Sequence, residues 1–235
     1  MVRAVVLDIE GTVSSARYAE RTLFPYAHRR IPGRIRRGGP EIAAIAGETR
    51  LAAGLATADR DEITAALQHW SSADEKVAPL KTLQGLIWEE GFAAGELAAH
   101  VYEDVPPALA AWRRQGLGLH IYSSGSVAAQ RAWFGHTAYG DLLPYFGGHF
   151  DLRNAGAKDE PDSYLAIARA LGESPGDLLF LSDAQRELDA ARAAGWHTVG
   201  VRRPDDEAAP PGGHLVVPGL NPLTPLPSGF PEGMS

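Results

Sequence analysis

A chain of 235 residues, 45% hydrophobic and 22% charged, is long enough to bury a sizeable core and lies outside the compositions of disordered or fibrous chains. A formal charge of -7 disfavours a general role on nucleic acid or anionic membranes, and the lack of cysteine excludes disulfides, thiolate zinc sites and cysteine nucleophiles. No apolar run approaches the ~20 residues that a membrane-crossing helix needs, and a strand-like run stands first instead of a signal core, so a cytoplasmic location is expected.

The first predicted element, "RAVVLDI", is a β-branched run bounded by Gly11, the pattern of a strand buried on both faces. Residues 18–104 are Ala-rich and helical, most strongly in "EITAALQHW" and "LQGLIWEEGFAAGELAAHVY", with no strand signal. They read as a helical insertion after the first strand, with hinges near residues 15–18 and 104–107. Beyond it "PPALAAWRRQG" predicts a helix and "GLHIYSS" a second strand. "PDSYLAIARALG" and "AQRELDAARAAG" are helices flanking a third strand, "DLLFLSD". "HTVGV" is a fourth strand, and "HLVV" a final short one. Strands alternating with helices imply right-handed crossovers, hence an α/β fold with a doubly wound parallel sheet. The expected division is a core of residues 1–17 and 105–220, an α-helical cap of residues 18–104, and an irregular tail of residues 221–235. Eight of the 17 prolines fall in the last 32 residues, which keeps most of that stretch out of regular structure.

The polar clusters sit where such a sheet gathers its ligands, beyond the carboxyl ends of strands. Asp8 and Glu10 end the first strand, Ser123 and Ser124 the second, and Asp183 the third, with Glu187 four residues further on. Asp8 and Asp183 offer hard oxygen donors suited to Mg²⁺, which shares its sites with phosphate and water. The serines offer hydrogen bonds to a phosphoryl group, and the helix after "SSGS" would add backbone N–H groups.

"DIEGT", "YSSGS", the lysine of "GAKDEPDSY" and "LFLSDAQREL" resemble the four ordered motifs of the haloacid dehalogenase-like superfamily. More narrowly, "LFPYA", "LKTLQGLIWEEGF", "VYEDVPPAL" and "SDAQRELDAA" resemble the enolase-phosphatase E1 family of methionine salvage, a likeness running from Val5 to about Val201. Val13 and Leu152 stand where that family usually carries threonine. The resemblance implies a Rossmann-like core with a helical cap and one Mg²⁺ per chain held by Asp8, the Glu10 backbone carbonyl and Asp183, with Glu187 as an outer partner. It implies Asp8 as nucleophile, Glu10 as proton donor and base, Ser123 and Ser124 as substrate-binding groups, and Lys158 as a catalytic cation that also holds the phosphoryl group. The implied substrate is 2,3-diketo-5-methylthiopentyl-1-phosphate, enolised and then dephosphorylated to an acireductone by a monomeric enzyme.

Alternatives on the same scaffold are hydrolysis of another small phosphate ester, or carbon–halogen hydrolysis, which Glu10 disfavours because a departing halide needs no proton. No G-x-G-x-x-G follows the first strand, which disfavours nucleotide-cofactor redox. The basic run "RRIPGRIRR" lacks an aromatic platform and reads as a solvated helix end and loop of the cap. His28, His136 and His149 have no metal-ligand spacing, and Trp70, Trp88, Trp112 and Trp133 are expected in cores.

Overall fold

The computed structural model describes residues 1–56, 59–204 and 210–224. The chain forms two compact units, Met1–Ala16 with Ala99–Ser235, and Arg17–Ala98. Among the described residues no helix is long and apolar enough to cross a membrane.

The chain starts with strand β1 (Ala4–Leu7), buried along its whole length. Helix α1 (Ala16–Tyr18) and a π-helical turn (Ala19–Leu23) then lead into α2 (Phe24–Arg37), α3 (Pro40–Ala52), α4 (Arg60–Ser72) and α5 (Ala78–Ala93). In the helical unit, Ala27, Ile31 and Ile35 of α2 recur every fourth residue and form one buried stripe, complemented by Ile63 and Leu67 of α4 and Leu83 and Ile87 of α5. Asp59 caps α4, accepting from the Asp61 and Glu62 N–H groups at 2.9 Å, while Glu62 accepts from the Asp59 N–H at 3.0 Å. The Trp88 indole donates to the Leu23 carbonyl at 2.9 Å.

Two helical expectations change here. The helix expected over residues 83–102 stops at Ala93, because Gly95 takes a left-handed φ of 69° that ends the regular turn. The basic run is the helix end but not a loop: α2 continues through Pro32 to Arg37, with its apolar stripe buried and Arg30, Arg34 and Arg37 paired. Arg34 meets Glu90 at 2.8 Å, Arg37 also pairs with Glu90, and Arg30 meets Glu96 at 2.5 Å.

In the other unit α6 (Val105–Arg114) precedes β2 (Gly118–Tyr122), α7 (Val127–Gly135), β3 (Gly148–Phe150), α8 (Pro161–Leu171), β4 (Leu178–Ser182), α9 (Gln185–Ala193), β5 (His197–Val201) and β6 (Leu215–Val217). The strands form one parallel sheet ordered β3-β2-β1-β4-β5-β6. β3 has no counterpart in the predicted elements. Its three residues, with Gly147 and Gly148 at the start, are too short an apolar run to read as a strand; pairing with β2 (His120 with Gly148) makes it one. Helices lie against a core in which Tyr164 packs edge-on to Tyr122, Phe180 and Trp196 at ring separations of 5.6, 5.2 and 5.5 Å.

Residues 99–104, expected in the insertion, belong to this core unit. Ala99 N–H donates to His136 O at 2.9 Å and Tyr102 N–H to Val13 O at 3.1 Å. The expected tail also begins later than residue 221. Asn221–Leu223 is a 3-10 turn with Leu223 buried, because the buried Trp112 indole needs an acceptor and finds the Leu223 carbonyl at 2.9 Å. Residues 225–235 lie outside those described.

Candidate active site

The strand order reverses direction between β1 and β4, and the carboxyl ends of these neighbours lie side by side, with Leu7 opposite Leu181. Asp8 extends the ladder by one bond, its N–H donating to Leu181 O at 3.0 Å. The chain then turns sharply. Ile9 O accepts from the N–H groups of Thr12, Val13 and Ser14 at 3.2, 3.0 and 2.9 Å, and Gly11 N–H donates to Ser14 O at 2.8 Å. Gly11 holds φ +76°, and a Cβ there would overlap the Asp183 carboxyl, so only glycine lets Asp183 come so close to the turn. Asp8 is 5% exposed, while Glu10 projects into an exposed position.

Lys158 is brought to Asp8 from the loop before α8. Its ammonium pairs with Asp8 Oδ1 and lies 2.6 Å from Glu187 Oε2, with lysine and aspartate almost wholly buried. Glu187 also accepts from the Ser182 hydroxyl at 2.9 Å, so the first turn of α9 serves the lysine. Burial opposes the ammonium form, but the Asp8 and Glu187 carboxylates outweigh it and raise the Lys158 pKa above that of a free lysine. Burial foremost pushes Glu187 up to about 6, with the Lys158 charge opposing the shift and the Asp8 charge adding to it.

Two residues to which the sequence reading assigned no role hold the lysine in place. Tyr164 donates to Lys158 O at 2.7 Å and Tyr122 to Gly156 O at 2.9 Å. Gly156, at φ +110°, leaves room for the Ser163 hydroxyl. Both tyrosines stand inside quoted motifs, "YSSGS" and "GAKDEPDSY", but their apolar neighbours make them read as core residues.

Ser123 follows β2 and is buried; Ser124 is half-buried beside it. Gly125 N–H donates to Ser123 Oγ at 3.3 Å, which leaves the hydroxyl proton of Ser123 to donate to an acceptor. The N-terminus of α7 is narrower as an anion cradle than the sequence implies. Val127 N–H donates to Asp151 Oδ2 at 3.0 Å and Ala129 N–H to Ser126 Oγ at 3.2 Å. Gln130 frames the loop by donating to Gly125 O and Phe150 O at 2.9 and 2.8 Å.

The donor set suits a hard divalent cation. Asp8 and Asp183 supply carboxylates at adjacent strand ends, and the Gly11 gap is filled by the Asp183 carboxyl. Among the described residues no three carboxylate or histidine side chains converge as a closed cage. Two carboxylates with a backbone carbonyl fit an ion that keeps water and substrate oxygens as its remaining ligands. The three histidines noted above lie elsewhere: His28 faces Ser71, His136 the Ala132 carbonyl and His149 the Gln130 amide.

Residues 2–195 match the family of haloacid dehalogenase-like hydrolases. The chain is 53% identical to the enolase-phosphatase E1 of Streptomyces avermitilis over 87% of each chain. It is 49% identical to that of Methylococcus capsulatus over 84% of this chain and 88% of the relative. Among solved structures it is similar to the unknown transcript 4 protein of Saccharomyces cerevisiae, with a TM-score of 0.77 and 31% identity over 94% of this chain and 99% of the other.

Proposed function

The chain belongs to the haloacid dehalogenase-like hydrolases and, within them, to the enolase-phosphatase E1 family, and from that premise we propose how its residues divide the reaction. It is a phosphatase of this family, and membership implies a divalent metal ion. We take the ion to be one Mg²⁺, held by Asp8, the Glu10 carbonyl and Asp183. When bound, it polarises a substrate carbonyl and balances phosphoryl charge.

The substrate is 2,3-diketo-5-methylthiopentyl-1-phosphate. Glu10 removes a proton from the carbon bearing the phosphate, leaving an enolate whose oxygen takes a proton from water to give the enol. Asp8 then attacks phosphorus, the bond to the enol oxygen breaks, and Glu10 returns a proton to that oxygen. The products are the acireductone and an aspartyl-phosphate, which water hydrolyses after giving its proton to Glu10. Ser123 donates its hydroxyl proton to a phosphoryl oxygen, Ser124 orients the substrate, and Lys158 offsets the charge that builds on phosphorus. Glu187 holds Lys158 against Asp8.

The observation that carries this assignment is the buried Lys158 ammonium on the carboxylate that ends β1, with a second acid two residues later. Pairing of Arg30, Arg34 and Arg37 with glutamates supports a small-molecule substrate over nucleic acid, and we place the enzyme in the cytoplasm as a monomer.

The test is the diketone phosphate itself, followed by enol absorbance and released phosphate. Glu10→Gln should abolish both; enol formation that survives in this variant rules out the dual role. Phosphate released from generic monoesters, with no enol signal from the diketone, points instead to another small phosphate ester.

A further inference from the structure

Behind the turn that carries Glu10 lies a second buried ion pair. Arg203, 3% exposed, follows β5, and Asp104, 9% exposed, precedes α6. Arg203 Nη1 donates to both Asp104 carboxylate oxygens at 2.9 and 2.7 Å, and Asp104 Oδ2 also accepts from Leu220 N–H at 2.6 Å. The guanidinium stacks 4.1 Å over the Tyr102 ring. Gly219 has no side chain for a reason: a Cβ there would strike Asp104 and Arg203.

A further donor of this guanidinium points at the catalytic turn, while Nη2 is buried with no hydrogen-bond partner among the described residues. Arg203 Nε donates to Thr12 O at 2.7 Å, and the neighbouring Val13 carbonyl accepts from Tyr102 N–H at 3.1 Å. The turn is thus tied from behind by one side chain whose plane is fixed by aspartate on one edge and an aromatic ring on its face. A guanidinium suits this because its fork is rigid, whereas an ammonium would hold the charge without the direction. A buried ion pair is a weak source of stability, since apolar residues of similar volume often serve as well. What an apolar pair cannot supply is the directed bond to Thr12 O. A reacting constellation needs placement within about 0.5 Å, which loops lack unless a surrounding shell locks them.

We infer that Arg203, oriented by Asp104, is a positioning residue that sets the Glu10–Thr12 turn for proton transfer, an inference that rests on the role of Asp8 and Glu10 given above. In this role Arg203 acts through the Thr12 carbonyl.

Three variants of the full chain test this: Arg203→Lys, Arg203→Met, and Arg203→Met combined with Asp104→Asn. The last leaves no buried charge and keeps an oxygen for Leu220 N–H. Each is assayed for kcat and KM on the diketone phosphate and on p-nitrophenyl phosphate, and for its urea midpoint. Arg203→Lys should stay folded and lose kcat on the order of a hundredfold, the scale of a small misplacement of reacting groups, with KM little changed. The double variant should recover the urea midpoint relative to Arg203→Met without recovering kcat. Wild-type kcat in Arg203→Lys, or recovery of kcat together with stability in the double variant, overturns the inference. Failure of all three to fold makes the pair structural and overturns it equally. Asp8→Asn is assayed alongside: hydrolysis that survives there refutes the underlying mechanism, whereas its loss there with undiminished turnover in Arg203→Lys refutes only the positioning role.

Discussion

Replacing Lys158 by methionine isolates the electrostatics of the site. The side chain keeps most of its volume, so the change removes the charge that Asp8 and Glu187 share. Two carboxylates then face each other with side-chain exposures of 8% and 18%. Breaking a buried ion pair by removing one partner costs about 3–5 kcal/mol, which for a chain of this size lowers the melting temperature by roughly 6–20 °C. The pH dependence gives a second magnitude. Glu187 already sits at about 6, and the lysine charge and hydrogen bond are what restrain it; without them it rises further. A carboxyl group whose folded pKa lies above its unfolded value destabilises the fold as pH rises through the folded pKa. The gap between variant and wild type should therefore be widest near pH 8 and shrink towards pH 6, where Glu187 takes up a proton and one of the two facing charges disappears. Urea melts followed by tryptophan fluorescence, with chelator present, measure this at both pH values. A gap that is absent, or equal at pH 6 and pH 8, would refute the buried triad as the source of the charge balance.

Gly11→Ala should cost about 2–5 kcal/mol, combining the left-handed backbone with the overlap against Asp183, and should weaken Mg²⁺ binding in calorimetry; wild-type stability and affinity together would count against the close approach. Removal of divalent ions with EDTA should abolish phosphate release and added Mg²⁺ restore it, whereas turnover unaffected by chelation would favour metal-free chemistry on Asp8. Acid should destabilise the core through His120 and His149, each lowered to about 4, chiefly by burial. Because the unfolded imidazoles bind protons first, stability falls as pH drops from about 6.5 to 4, by about 1–2 kcal/mol per histidine after allowance for partial solvation. Urea midpoints across that range check it, and His120→Asn should flatten the slope.

Much of the site was legible because each group follows an apolar run. Asp8, Ser123 and Asp183 each stand one residue past a strand that shows as an apolar stretch, and a parallel sheet brings such ends together. Lys158 has no such local marker, since it lies in a polar loop beside two acids, and only the motif resemblance singled it out. β3 was missed because a three-residue strand carries no period to read. Tyr122 and Tyr164 looked like core aromatics, which they are; that their hydroxyls also grip the loop of Lys158 depends on which carbonyls come within reach. Asp104 falls inside the quoted "VYEDVPPAL" and Arg203 stands before Pro204, but nothing in either stretch shows that the two meet as a buried pair.

By itself the sequence determined the alternation of strands and helices, the helical insertion after the first strand, and the kinds of group at the strand ends. These follow from periodicity, β-branching and turn residues, which act over a few neighbours. The tertiary structure alone decided which charge neutralises which. Lys158 meets Asp8 across 150 residues of chain and Arg203 meets Asp104 across 99. Whether a lysine or arginine is a solvated surface group or a buried counter-ion depends on what is desolvated beside it, and no local pattern encodes that.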